Sequence, residues 1–198
     1  MLKPVKADRR FPDLVSARQG STLTRVWDPV VRLFHWGLVA SFITAWFTAR
    51  TADDWHYVAG YVAAGLIVVR LAWGLGGTRY ARFRQFLRHP GTIGGYLNDI
   101  IHGRERRYIG HNPAGGAMVL TLMLCMVVAA FSGWMMTTDT YFGVDWVENT
   151  HSLVVHGMVL LIAVHVGGVL LASVRHGENL VRAMITGTKR APDGDDVA

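Results

Sequence analysis

Four long apolar stretches punctuate an otherwise polar chain: roughly Val30–Thr48, His56–Gly77, Pro113–Thr137 and Thr150–Val174. Each is about 20 residues or more, the length an α-helix needs to cross a hydrocarbon layer of roughly 30 Å. The first opens at Asp28-Pro29 and the third at Asn112-Pro113. Asp and Asn are good N-caps, and Pro suits the first helical position. Between the second and third spans, Gly91–His102 predicts a short helix lying in the membrane interface. The pattern is that of an all-α integral membrane protein, a bundle of four transmembrane helices.

Composition strengthens this picture. The chain is 51% hydrophobic and 17% charged, against about 25% charged for soluble domains, and its mean hydropathy is +0.26. Seven Trp fit interfacial anchoring. The single cysteine, Cys125, lies in an apolar run and excludes a disulfide framework, a cysteine zinc site and a CxxCH haem attachment. Net charge is +6, yet no zinc-finger spacing or basic module interleaved with aromatics accompanies it, so nucleic acid is not an expected partner.

The charges are sorted by loop. Residues 1–24 form a basic tail with Lys3, Lys6, Arg9, Arg10 and Arg18, without the apolar core and cleavage site of a secretory signal. The 78–112 connection is rich in arginine, and Arg182, Lys189 and Arg190 follow the last span. The 1–2 linker carries Asp53 and Asp54, and the 3–4 connection carries Asp139, Asp145 and Glu148. The positive-inside rule then places both termini in the cytoplasm and the two acidic connections outside. Residues 25–190 form the transmembrane domain and 191–198 a C-terminal tail.

Ionisable residues inside a span are costly and mark function by default. His151 and His165 are 14 residues apart on the fourth span. That is almost four turns, so they share a face at two depths about 21 Å apart. The topology sorts four histidines by depth. His56 and His151 lie toward the outer side, and His35 and His165 toward the inner side. Two imidazoles from different helices at one level can ligate one metal from opposite sides, and bundle cores host such sites. No carboxylate or thiolate accompanies either pair, so two non-covalent, bis-histidine b-type haems fit best. Arg70 lies 14 residues after His56, on the same face and one layer deeper, where a guanidinium could pair with a haem propionate. Gly60 and Gly168 share the ligand faces and leave room for a flat macrocycle. His156 points away from the His151–His165 face and is a secondary candidate with a structural hydrogen-bonding role. His111, near the inner interface, is a secondary candidate for quinone or proton handling.

Several segments together carry a family likeness: VWDPVVRLFHW (Val26–Trp36), WHYVAGYVAAGLIVVRLAWG (Trp55–Gly74), GTRYARF (Gly77–Phe83), YIGHNPAG (Tyr108–Gly115) and ENLVRAMITGTKR (Glu178–Arg190). With His151 and His165, they resemble the bacterial cytochrome b561 family, in the branch named after the cytochrome b subunits of nickel–iron hydrogenases. The resemblance implies four transmembrane helices and two b-type haems, with His35 paired to His165 and His56 to His151. It also implies electron transfer in the bacterial inner membrane between the quinone pool and a redox partner such as a cytochrome c or a hydrogenase. Some relatives act on superoxide, so a membrane superoxide:quinone oxidoreductase is the alternative; the acidic outer loops would repel that anion. A metal transporter using the same histidines fits less well, because its ligands would need to exchange along a route. No catalytic residue is assigned.

The orientation is testable with reporters. A fluorescent protein that matures only in the cytoplasm should fluoresce when fused after Ala198. Alkaline phosphatase inserted between Thr138 and Asn149 should be active. The reverse pattern would overturn the predicted sidedness.

Overall fold

The computed structural model describes residues 23–50 and 54–197. Asp53 and the basic residues Lys3, Lys6, Arg9, Arg10 and Arg18 lie outside that range. Four helices are long and apolar enough to cross a membrane: α1 (Pro29–Thr48), α2 (Asp54–Gly76), α5 (Pro113–Met135) and α6 (Asp145–Arg175). After α2 come a 3₁₀ turn, Arg79–Ala81, and a four-residue helix α3, Phe83–Phe86. The expected interfacial helix follows as α4, Pro90–Ile101, and a short α7, Leu180–Thr186, follows α6.

Local chemistry explains the starts. Asp28 caps α1 through Val31 N–H at 3.0 Å, and Asn112 caps α5 through Gly115 N–H at 2.6 Å. Asp28 also ties two helices together. Its second oxygen accepts from Trp73 Nε1 at 3.0 Å and Thr78 Oγ1 at 2.5 Å, which fixes the start of α1 against the end of α2. One boundary departs from the sequence reading. The fourth span begins at Asp145 rather than Thr150. Asp145 and Glu148 occupy its first turn, where negative charge complements the helix dipole. Part of the acidic connection is therefore helix, and His151 stands almost two turns inside it.

α1 packs along α2, α5 along α6, and α2 along α5. Their shared core holds Phe34, Ala63, Ile67, Met123, Met126, Ala129 and Met158. The outward faces stay apolar, as at Leu153 and Val174, which suits a hydrocarbon surround with no hydrophobic drive of its own.

A feature absent from the sequence reading closes one end of the bundle. Strand β1 (Leu23–Arg25) pairs antiparallel with β2 (Thr188–Arg190), Leu23 opposite Arg190. Residues 23 and 24, assigned to the basic tail, thus belong to the folded unit. Gly187, at φ +85°, makes the turn into β2. Its carbonyl accepts from Val26 and Trp27 N–H at 2.9 and 3.1 Å, and a Cβ there would lie 2.6 Å from the Trp27 carbonyl oxygen. The C-terminal stretch also docks: Val197 bridges Tyr108, and Asp195 O accepts from Arg106.

Beneath this cap lies a buried ion cluster. Arg107 pairs with Glu178 at 2.9 Å and with Asp196. Lys189 reaches Glu178 at 3.5 Å and donates to the Tyr108 and Ile109 carbonyls at 2.9 and 3.1 Å. Burial pushes the Glu178 carboxyl up, but the Arg107 hydrogen bond and the Lys189 charge outweigh it, so its pKa falls below the usual value. Asp196 is lowered likewise, through a backbone N–H of Asp193 and the charge of Arg107. Carboxylates with depressed folded-state pKa values contribute stability above their ordinary range and lose it as pH falls through the folded values. Arg107→Met leaves buried carboxylates without their partner and should cost about 3–5 kcal/mol. Glu178→Gln should remove part of the drop in thermal midpoint expected of the wild type between pH 6 and pH 3. Differential scanning fluorimetry in detergent checks both; parallel pH profiles for wild type and Glu178→Gln would contradict the account.

Candidate cofactor site

The site begins with two helix backbones that present imidazoles to each other. His56 sits in the first turn of α2 and His151 almost two turns into α6. Their ring centroids are 6.3 Å apart with the planes at 69°. Each ring is anchored through Nδ1. His56 Nδ1 lies 2.9 Å from Ala45 O on α1, and His151 Nδ1 lies 2.9 Å from Ala129 O on α5. A carbonyl only accepts, so Nδ1 carries the proton in both rings and Nε2 keeps a free lone pair for a metal. Ser132 Oγ, at 3.2 Å, further brackets the His151 ring.

The two rings border a partly open cavity of about 1230 Å³ lined by α1, α2, α5 and α6. That exceeds the roughly 300–1,000 Å³ of ordinary small-molecule sites. Its lining is mostly apolar, including Trp46, Ala63, Ile67 and Phe131. Gly60 lines it as well, and a Cβ at Gly60 would meet nothing within 4 Å. Gly133 has a different role that the sequence reading missed. A Cβ there would come within 3.1 Å of the His151 ring, so the missing side chain makes space for the imidazole itself. Its signal, a glycine on the span before a candidate ligand helix, reads in sequence only as helix packing.

At the other level, His35 on α1 lies within electrostatic range of His165 on α6. His35 Nδ1 is buried with no hydrogen-bond partner, unlike the anchored rings of the first pair. Arg70 is only 2% exposed. Its guanidinium is ringed by Phe34, Phe83 and Phe86, with centroids at 5.9, 5.0 and 6.0 Å, and one terminal nitrogen is buried and unpartnered. Asp28 is the charge nearest to it in effect. A desolvated cation with an unused donor suits an anionic group of the propionate type. Gly168 is exposed, with open space where a Cβ would stand.

The secondary candidates separate. His156 lies on the cavity wall, with Nδ1 on its own helix at Ser152 O, 2.7 Å away, and its ring edge-on to Trp46 at 5.5 Å. His111 is wedged between Trp27 and Phe86, with centroids at 4.7 and 4.6 Å. Burial, then the positive charges of Arg70 and Lys189, push its pKa down to about 3, so it is neutral near pH 7. Its Nδ1 is buried without a partner.

The donor set fits haem. Metal–imidazole bonds of about 2.0 Å on each side, plus the ring radii, separate two axial imidazoles by about 6 Å between centroids. The His56–His151 spacing of 6.3 Å matches this. Among the described residues no cluster of three or more His, Cys, Asp or Glu could hold a bare metal ion.

The four-span fold agrees with two comparisons that mark the chain as a membrane b-type cytochrome of electron transfer. Residues 26–187 match the family model for prokaryotic cytochrome b561. The chain is also similar to a probable Ni/Fe-hydrogenase B-type cytochrome subunit from Cupriavidus necator, 22% identical over 236 aligned positions that span 94% of this chain and 96% of that one. No solved structure matches it. The chain belongs to the prokaryotic cytochrome b561 family.

The cavity makes a direct prediction. Gly60→Phe should fill the open space beside His56 and lower the haem content per chain without changing helicity. Far-ultraviolet circular dichroism and a pyridine haemochrome assay measure the two separately. Unchanged haem content would remove Gly60 from the site.

Proposed function

We propose that the protein is a di-haem b-type cytochrome that carries electrons across the bacterial inner membrane, between the quinone pool and a redox partner. One observation carries this reading above the others: the His56 and His151 ring centroids stand 6.3 Å apart, each ring with its Nδ1 proton committed to a backbone carbonyl. When bound, b-type haem supplies reversible one-electron chemistry. In this reading His56 and His151 hold one haem through Nε2, and His35 and His165 hold the second. Two imidazoles holding each haem would leave no place for oxygen and would favour electron transfer.

The remaining residues shape the two sites. Arg70 neutralises a propionate beside the inner pair, and Gly60 and Gly168 allow a macrocycle close to the backbone. The apolar walls exclude water, which keeps the local dielectric low and helps set the potentials. Neutral His111 is a hydrogen-bonding partner for a quinone headgroup next to the inner pair, whereas His156 keeps a structural role. At the opposite end Asp54, Asp139, Asp145 and Glu148 are exposed. Their field attracts a basic protein surface. The name of the Cupriavidus relative supports a hydrogenase-type partner, and a cytochrome c fits the same electrostatics.

The purified protein should show a low-spin b-haem spectrum with two haems per chain. His56→Ala and His151→Ala should each reduce this to one and remove the same spectral component. His35→Ala and His165→Ala should each remove the other. Loss of both components from a single folded variant would sink the pairing, and a folded wild type without haem would sink the whole reading.

A further inference from the structure

A second hollow, a shallow and largely open depression of about 360 Å³, is bordered by Arg79, Arg82, Arg84 and Gln85. It belongs to the corner where α2 ends at Gly76 and the chain turns through Arg79–Ala81 into α3. None of the four histidines of the haem reading lines it.

All three arginines are exposed, and none makes an ion pair among the described residues. The ion pairs among the described residues fall instead on Arg104, Arg107, Arg175 and Lys189. Two of the three are nevertheless held in place. Arg82 donates Nε to Gly77 O at 2.7 Å, leaving both terminal amino groups free. Arg79 lies over the Tyr80 ring at 5.5 Å. Gln85 completes the wall, with its amide oxygen buried and unpartnered; a half-turn of that amide would present its NH₂ instead. Three cations that share one hollow without a carboxylate repel one another, and an anion among them removes that repulsion.

The surroundings define the kind of anion. The hollow follows directly on the apolar stretch of α2, so it sits at headgroup depth. Leu75 and Leu87, which bracket it in the chain, are 80% and 52% exposed. A soluble anion would gain nothing from such apolar flanks, whereas a lipid fills both parts. We propose that this hollow binds the headgroup of an anionic phospholipid, and that its three guanidiniums favour a lipid carrying two phosphodiester groups. The inference requires only that the protein spans a membrane, and it is independent of the haem assignment.

Native mass spectrometry of the full-length, haem-loaded protein tests it, with cardiolipin, phosphatidylglycerol or phosphatidylcholine titrated into the detergent. The expected result is one tightly retained cardiolipin per chain, weaker phosphatidylglycerol and no retained phosphatidylcholine. Arg79→Gln, Arg82→Gln and Arg84→Gln should each weaken cardiolipin binding about fivefold. Arg82→Lys should keep most of it. Arg104→Gln, on the same arginine-rich 78–112 connection but outside the hollow, should leave it unchanged. Thermal midpoint and haem content confirm that each variant is folded. An equal loss in Arg104→Gln would overturn the site in favour of a diffuse positive field. Displacement of the lipid by equimolar pyrophosphate would identify a soluble-anion site instead, and equal retention of phosphatidylcholine would end the proposal.

Discussion

An imidazole nitrogen placed inside a membrane is stabilised by a partner from the protein, because no water is there to supply one. His56 and His151 meet this demand in the same way. Each spends its Nδ1 proton on a carbonyl of a neighbouring helix, Ala45 O on α1 or Ala129 O on α5. Those carbonyls already belong to helical ladders and accept through a second lone pair, so the anchor adds no new polar group to the interior. The arrangement makes the four helices interdependent. α2 and α6 carry the rings, while α1 and α5 fix how the rings turn. The cavity between them follows from this division of labour.

The other costly group, Arg70, is treated differently. Its charge is enclosed by three phenyl rings rather than paired at contact with a carboxylate. Aromatic faces attract a cation but leave its N–H groups unused, and one nitrogen stays without a hydrogen bond. Asp28 supplies the compensating charge while it caps α1 and receives Trp73 and Thr78. The Asp28-Pro29 start of the first span is therefore more than a cap: it holds the end of α2, and with it the surroundings of Arg70.

Much of this was legible in the sequence because a membrane simplifies the code. Length and hydropathy alone mark the four spans, and Asp28 and Asn112 mark two of their starts. Helical rise and topology put His56 and His151 at one level in the sequence, and the structure brings their rings to 6.3 Å even though α6 begins earlier than its apolar stretch. Asp145 and Glu148 look like loop residues by polarity, yet they favour a helix N-terminus by charge. What stayed hidden depends on contacts between distant segments. A three-residue strand has too little pattern to recognise, and the Arg107–Glu178–Lys189–Asp196 cluster joins residues 71 to 89 positions apart from Arg107. Gly133 was invisible for a related reason, since the ring it accommodates comes from another helix.

The pairing of β1 with β2 also sets an order of events during synthesis. Leu23 cannot find Arg190 until the whole membrane-embedded chain has left the ribosome, whereas α1 and α2 can meet as soon as both are inserted. The bundle is thus assembled open at one end and latched last, by residues translated after the fourth span. A chain that stalls or is truncated before Thr188 would retain its four spans but lack the latch that joins the segment before the first span to the segment after the last.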